Sequence, residues 1–282
     1  MYKTHDKQVC PWKEGVFVMT DNPEPEFMEE KAGIHTEPYL VAYLDMLGST
    51  DKILKDTERE QYLNTLKRIY EYALQIPGEI NPSLSHYHME MRIFSDNILI
   101  VNKLVDKDGA KRDLRTELEN MCTVVTRFQE HALENGWLLR GAMTKGQLYF
   151  DDMLVWGKAL VKAHWMEEKI AIYPRVIIDD ELVKDIQNVY SSQKGAKIIA
   201  IKQDADGCYF LNYLDSTVFI KFPFNEEEYK EHFRKMFSEP VKDESVRQKR
   251  LWHVRYHNSV CIEQSKQEYC IDETIVPRVV SE

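Results

Sequence analysis

The sequence predicts an α+β fold with an antiparallel-centred sheet, on local patterning and on the order of its elements. Short apolar runs bounded by turn residues read as strands, and apolar residues at three- and four-residue spacing read as helices. From Tyr39 onward these follow as strand, helix, strand, strand, helix, strand. A βαββαβ order of this kind builds an antiparallel-centred sheet with helices packed on one face.

The first strand is YLVAYLDML, an apolar run that delivers Asp45 at its end. Gly48-Ser49-Thr50 then opens a helix to about Gln75, with Leu54, Tyr62, Leu66, Ile69 and Tyr70 at helical spacing. In MEMRIF, Met89, Met91 and Ile93 alternate with polar or outward residues. Ser95-Asp96-Asn97 is turn chemistry, and ILIV returns as the second arm of a hairpin. A helix from about Arg112 to Glu134 stops at Asn135-Gly136. WLLRGAMTKGQLYF reads as strand, glycine turn, strand, and a third helix from Gly157 to Ile170 leads into the strand YPRVIID. DGCYFLNYL is a further strand, EEEYKEHFRKMF a helix, and the polar SEPVKDESVRQKR leads to a last helix carrying Trp252, Val254 and Tyr256. The expected division is an irregular arm at 1–37, a catalytic domain at 38–222, and a helical extension at 223–282 packed on that domain.

Composition narrows the function classes. The 282 residues are 43% hydrophobic and 30% charged with net charge -10, enough for one sizeable core and a soluble surface. That acidic balance opposes broad nucleic-acid binding, which needs a positive surface. No stretch approaches the roughly 18 apolar residues of a membrane span, and the N-terminal residues carry no signal-peptide pattern. Five cysteines without CxxC spacing point to reduced thiols and a cytoplasmic setting.

The chemistry-bearing residues are two aspartates. Asp45 ends a buried strand and a glycine turn into a helix follows at once, which sets a carboxylate beside free backbone amides. Taken locally, Asp45 reads equally well as a helix cap. Asp96 alone is an ordinary turn aspartate. As a pair, a strand end and the next hairpin tip can converge at one sheet edge and hold two divalent ions about 4 Å apart. Hard oxygen ligands suit Mg²⁺ or Mn²⁺.

YLDMLGST resembles the FxDxxGFT segment of class III adenylyl and guanylyl cyclases, and RIFSDNILI resembles their second-aspartate hairpin. LRGAMTKG, with Arg140 and Gly146, and VWGKALVKAHWMEE resemble segments that follow in that family, so the likeness covers about residues 39–170. Within it the chain most resembles the bacterial pyrimidine cyclases of the Pycsar antiphage systems. The resemblance implies that Asp45, Asp96 and the Met46 carbonyl hold two Mg²⁺ or Mn²⁺ ions. It also implies that Leu47, Gly48, Ser49 and Thr50 cradle the phosphates, and that two equivalent sites lie across a homodimer interface. The product would be a cyclic nucleotide read by a separate effector protein.

Departures from the family carry information. The asparagine and arginine that stabilise the transition state fall at Val161 and Trp165, and a second base-contacting position falls near Leu154. Arg140, Lys158 and Lys162 are candidate replacements, though each also reads as an ordinary surface charge. Arg92 stands where adenylyl cyclases carry lysine and guanylyl cyclases glutamate. Its fixed fork of donors suits pyrimidine carbonyls, UTP before CTP, while pairing with Glu90 is the plain alternative. Trp156, Trp165 and Met166 would suit a dimer interface or a core equally. The rival function is a degenerate, nucleotide-binding sensor domain. A diguanylate-cyclase-like palm ranks last, since RIFSDN replaces GGDEF. His253 and His257 read as helix-surface histidines without the HExxH glutamate. His86 and His88 share a strand face with no further ligand at metal spacing.

Overall fold

The structure is a computed structural model and describes residues 34–56, 60–80, 89–191, 201–215, 225–241 and 243–279. The chain divides into Met1–His35 and Thr36–Glu282, and only Ile34 and His35 of the first unit are among the described residues. The arm expected at 1–37, the boundary at 222/223, and His86 and His88 therefore fall largely or wholly outside them.

The second unit is a mixed α+β fold on one sheet. Its strands are β1 (Glu37–Leu47), β2 (Met89–Phe94), β3 (Asn97–Lys103), β4 (Leu138–Phe150), β5 (Val155–Trp156), β6 (Val176–Ile178), β7 (Ile201–Gln203) and β8 (Tyr209–Leu211). They run in the order β2-β3-β1-β4-β6-β8-β7, with β5 paired to β4. Each adjacent pair among β2, β3, β1 and β4 is antiparallel, and β6 joins β4 in parallel. The helices are α1 (Ser49–Lys55), α2 (Gln61–Ile80), α3 (Leu114–Glu134), α4 (Lys158–Lys169), α5 (Asp180–Ser191), α6 (Glu226–Met236) and α7 (Glu244–Glu263). The expected βαββαβ order stands, with the first helix in two pieces.

Helices cover both faces of the sheet, not one. β1 alternates Leu40, Ala42, Leu44 and Met46 toward a core that takes in Ile69 of α2, Leu118 and Phe128 of α3, and Leu182 of α5. Its other face, Tyr39 and Val41, packs with Leu99, Val101 and Leu148 against Ala159 and Ala163 of α4. The reason is legible in β1 itself: a strand apolar at consecutive positions must be buried on both sides.

Two turn assignments are also corrected. WLLRGAMTKGQLYF is one 13-residue strand, β4, without a turn. Its glycines serve close approach: a Cβ on Gly141 would lie 2.5 Å from the Tyr43 carbonyl oxygen, and one on Gly146 3.3 Å from the Ala159 Cβ. The helix expected from Gly48 to Gln75 breaks after Lys55, where Asp56 turns extended. The Asp56 carboxylate accepts from the amides of Tyr62 and Leu63 at 3.3 and 3.0 Å, which fixes the start of α2. α5 was not anticipated; it buries Leu182, Val183 and Ile186 behind the sheet. α3 starts at Leu114, where the Asp113 carboxylate accepts from the Thr116 amide.

Gly157 admits α4 to the sheet. Its φ is 154°, and a Cβ there would meet the Gln147 oxygen at 2.5 Å and Leu148 Cα at 2.8 Å. Gly157→Ala should therefore cost about 2–4 kcal/mol of stability, combining backbone strain with overpacking. Urea unfolding of the variant would measure this, and a loss under about 0.5 kcal/mol, the scale of an uninvolved surface change, would contradict it.

The C-terminal helices share a second core with the sheet: Leu138, Ala142, Ile177 and Phe210 pack with Tyr229 and Phe233 of α6 and Leu251 and Val254 of α7. Here the histidine expectation is reversed. His253 and His257 are 0% and 1% exposed, held by the Tyr213 and Tyr229 hydroxyls at 3.1 and 2.8 Å. Burial, with the neighbouring His257, lowers the pKa of His253 to about 3, and burial lowers that of His257 to about 4. The unfolded chain protonates these groups near pH 6.5 and the folded chain does not, so their stability contribution is complete above that pH and shrinks as pH falls. Each histidine should remove about 1.4 kcal/mol per pH unit below pH 6.5. The urea midpoint followed from pH 7 to 5 should flatten by one proton's slope in His257→Gln; an unchanged slope would refute the assignment.

Candidate active site

The two aspartates meet at one end of the central strands. Asp45 on β1 faces Asn97 on β3, and Asp96 precedes Asn97 in the β2–β3 turn. The Met46 amide donates to the Asp96 carbonyl oxygen at 3.2 Å, which ties the turn to the end of β1. Ser95 takes a positive φ of 58° to make that turn, and its carbonyl accepts from the Tyr70 hydroxyl at 3.1 Å. The Asp96 carboxylate accepts a short hydrogen bond from the Ser49 hydroxyl and another from Asn97 Nδ2 at 3.3 Å. Burial and then the charges of Asp96 and Asp45 raise the Tyr70 pKa. Tyr43 is raised as well, by burial and then by Glu167, Asp45 and Asp96, so negative charge concentrates at this edge.

Asp45 does not cap a helix. α1 begins after Gly48, whose φ of 76° turns the chain through the left-handed region, and no side chain caps it. Across the β1–β4 register Asp45 pairs with Arg140 instead, Oδ2 to Nε 2.9 Å. Arg140 also reaches Glu167 of α4 at 2.7 Å, and burial raises the Glu167 pKa against the pull of Arg140. Glu167 was missed from sequence; within HWMEE it carries no pattern separating it from a surface glutamate.

Other expected residues lie farther away. Arg92 sits on β2, on the Asp45 face, two strands across and two residues along, about 12 Å by strand geometry. Its guanidinium lies 4.6 Å from the Phe150 ring centroid and pairs with Asp152 at 3.0 Å and Glu90 at 3.8 Å. Lys162 pairs with Asp179 at 2.7 Å, beside Met143 and Thr144, farther up β4 than Arg140. Lys158 is exposed at the start of α4, at the opposite end of that helix from Glu167. Within one chain, then, Arg140 alone of the three candidate cations adjoins the aspartates. Leu47, Gly48, Ser49 and Thr50 follow directly, but α1 is only seven residues long. Val161 and Trp165 are 68% and 54% exposed on α4, Trp156 is 65% exposed on β5, and Met166 is buried in the core.

Among the described residues no three histidine, cysteine or acidic side chains form a metal cluster. Two carboxylates and a backbone carbonyl nonetheless fit Mg²⁺, which takes one or two protein carboxylates and completes its shell with water and substrate phosphates. Asp45, Asp96 and the Met46 carbonyl would be that donor set, with Arg140 shifted toward Glu167. No helix of the described residues is long and apolar enough to cross a membrane.

A cavity of about 400 Å³ opens beside Leu47 and Gly48, between α1, the turn before β4, and the facing ends of α6 and α7. It brings residues of the C-terminal extension to this edge of the sheet, a long-range contact that no local pattern announces.

No protein-family model matches the chain, and no match was found among curated proteins. Among solved structures, the chain is similar to the catalytic core of a rhodopsin-guanylyl cyclase with converted specificity, in complex with ATPαS. That likeness has 14% identity and TM-score 0.44, and covers 63% of this chain and 96% of the other. A class III adenylyl cyclase-like ATP-binding protein from Pseudomonas aeruginosa is similar at 11% identity and TM-score 0.40, over 55% of this chain and 37% of that one.

Proposed function

We propose that this chain is a nucleotidyl cyclase that converts a nucleoside triphosphate to its 3′,5′-cyclic monophosphate and pyrophosphate. The observation that carries this reading is the convergence of Asp45 and Asp96 at one sheet edge, locked by the Met46–Asp96 backbone hydrogen bond. In the reaction the ribose 3′-oxygen bonds to the α-phosphorus, the bond from that phosphorus to the β-phosphate oxygen breaks, and the hydroxyl proton leaves to solvent. Two Mg²⁺ or Mn²⁺ ions, when bound, would supply Lewis acidity to the attacking and leaving oxygens. Asp45 and Asp96 orient the reacting end, Ser49 fixes the Asp96 carboxylate, and Arg140 balances the charge of Asp45.

Arg92 is our candidate base reader, and a pyrimidine, uracil before cytosine, is the proposed base. Support comes from its place on the Asp45 face and its exposed partner Asp152, an ion pair that yields at little cost. The exposed apolar side chains Val161, Trp165 and Trp156 support a homodimer closing over this face. Following the Pycsar resemblance, the cyclic nucleotide would signal to a separate effector in antiphage defence, in the cytoplasm.

The alternative, a degenerate nucleotide-binding sensor, draws on the Asp45–Arg140 ion pair and on Val161 and Trp165 in place of polar groups. Incubation with ATP, GTP, CTP and UTP in turn, with Mn²⁺ and products resolved by mass, separates the two. A cyclic pyrimidine monophosphate is the expected product; a folded dimer yielding none from any substrate would favour the sensor.

A further inference from the structure

The cavity beside Gly48 is lined by four cations, Lys52, Lys235, Lys249 and Arg250, against two carboxylates, Asp51 and Glu239. The carboxylates offset it only in part. Glu239 pairs at 3.4 Å with Lys55, which is not among the lining residues, and its charge also acts on Lys52 and Arg250, while Asp51 is exposed. Two of the cations are held in place by neutral groups. Lys52 lies 3.5 Å from the Trp137 ring centroid and donates to the Gly136 carbonyl at 3.3 Å. Arg250 donates to the carbonyls of Phe237 and Glu239 at 3.3 and 2.8 Å. The Lys249 side chain, half-buried in the second turn of α7, has no hydrogen bond or ion pair among the described residues, and feels the charges of Asp243 and Asp45. Burial lowers the pKa of Lys52 to about 8 against the charge of Glu239, and burial together with Arg140 lowers that of Lys249, while Asp243 and then Asp45 act on Lys249 in the opposite sense. Lys249 thus lies within electrostatic reach of the Asp45–Arg140 pair.

Four cations against two carboxylates in a partly desolvated cleft are unfavourable until a further anion enters. The volume exceeds what one carboxylate fills, and lysines acting as mobile point charges suit phosphate oxygens. The cleft begins at Leu47 and Gly48, immediately after Asp45 and Met46, so an anion in it would be continuous with a group held at the aspartates.

We infer that this cleft is a polyphosphate site in which Lys249 of the C-terminal extension, with Lys235 and Lys52, takes the tail of the nucleoside triphosphate. The inference rests on the cyclase reading for its substrate. It gives the extension a part in the site, and supplies from α7 a positive charge that Val161 and Trp165 do not offer.

Calorimetric titration of the full chain with inorganic tripolyphosphate, in EDTA, tests it. Lys249→Gln should weaken binding about tenfold and the double variant with Lys235→Gln further still, whereas Lys67→Gln, exposed and outside the cleft lining, should change nothing. UTP should displace tripolyphosphate and uridine should not, which separates the tail of a nucleotide from a site for free phosphate alone. Unchanged affinity in a folded Lys249→Gln, with nucleotide turnover intact, would overturn the inference and leave the cyclase reading standing. Tripolyphosphate binding lost with Lys249, but no turnover of any nucleotide, would keep the cleft and remove the cyclase reading.

Discussion

Asp45→Asn and Asp96→Asn should each lower cyclase turnover by on the order of 10³-fold, the scale of losing one fixed charge contact to a transition state. At 1.36 kcal/mol per tenfold, that is roughly 4 kcal/mol of barrier. Both substitutions keep side-chain shape, so the Ser49 hydroxyl and Arg140 retain oxygen acceptors and the fold should hold. Two aspartates acting through one pair of ions should also fail to add: the double variant should be little worse than either single one. Arg140→Gln should cost less, about 10- to 100-fold, because it removes the balancing charge and leaves both carboxylates. Turnover within tenfold of the parent in either aspartate variant would separate these residues from the chemistry. Such a result would move the reaction to another edge of the sheet.

The largest stability effect is expected one strand beyond Arg140, where the Gly141 amide donates to the Arg175 carbonyl at 3.1 Å. Arg175 is fully buried just before β6, ion-paired with Asp204 and Asp206, with its guanidinium 5.5–5.8 Å from the ring centroids of Tyr173, Phe210 and Trp252. Asp204 also accepts from the Trp252 indole nitrogen at 2.8 Å, so one carboxylate ties the loop before β8 to both β6 and α7. Asp204→Ala strands part of a buried charge and one indole N–H, and should cost about 3–5 kcal/mol. Arg175→Met should cost less, because the two aspartates it leaves are partly exposed and can be solvated. Urea unfolding of both variants checks the order; an Arg175→Met loss exceeding that of Asp204→Ala would reject it.

Much of this molecule is legible in its linear pattern because the signals are local. YLVAYLDML is a buried strand on composition alone, RIFSDNILI a hairpin on its turn residues, and the βαββ order puts Asp45 and Asp96 at one edge. Where local signals have two physical causes, the sequence misled. Gly141 and Gly146 read as a turn but mark where the Tyr43 backbone and Ala159 come close to a straight strand. His253 and His257 read as surface residues because α7 buries polar groups that only distant tyrosines satisfy.

Fold class, element order and the candidate aspartates are readable from the linear chain, since each follows from residues within one strand, one turn or one helix. Which cations accompany those aspartates is set by long-range packing. Charge pairing is a matter of distance, not order: it gives Asp45 to Arg140, 95 residues on, commits Lys162 to Asp179, and brings Lys249 to the cleft beside Gly48. Lys249 lies in a polar run with no pattern of its own, and it gains a neighbourhood only when α7 packs its apolar residues against the sheet.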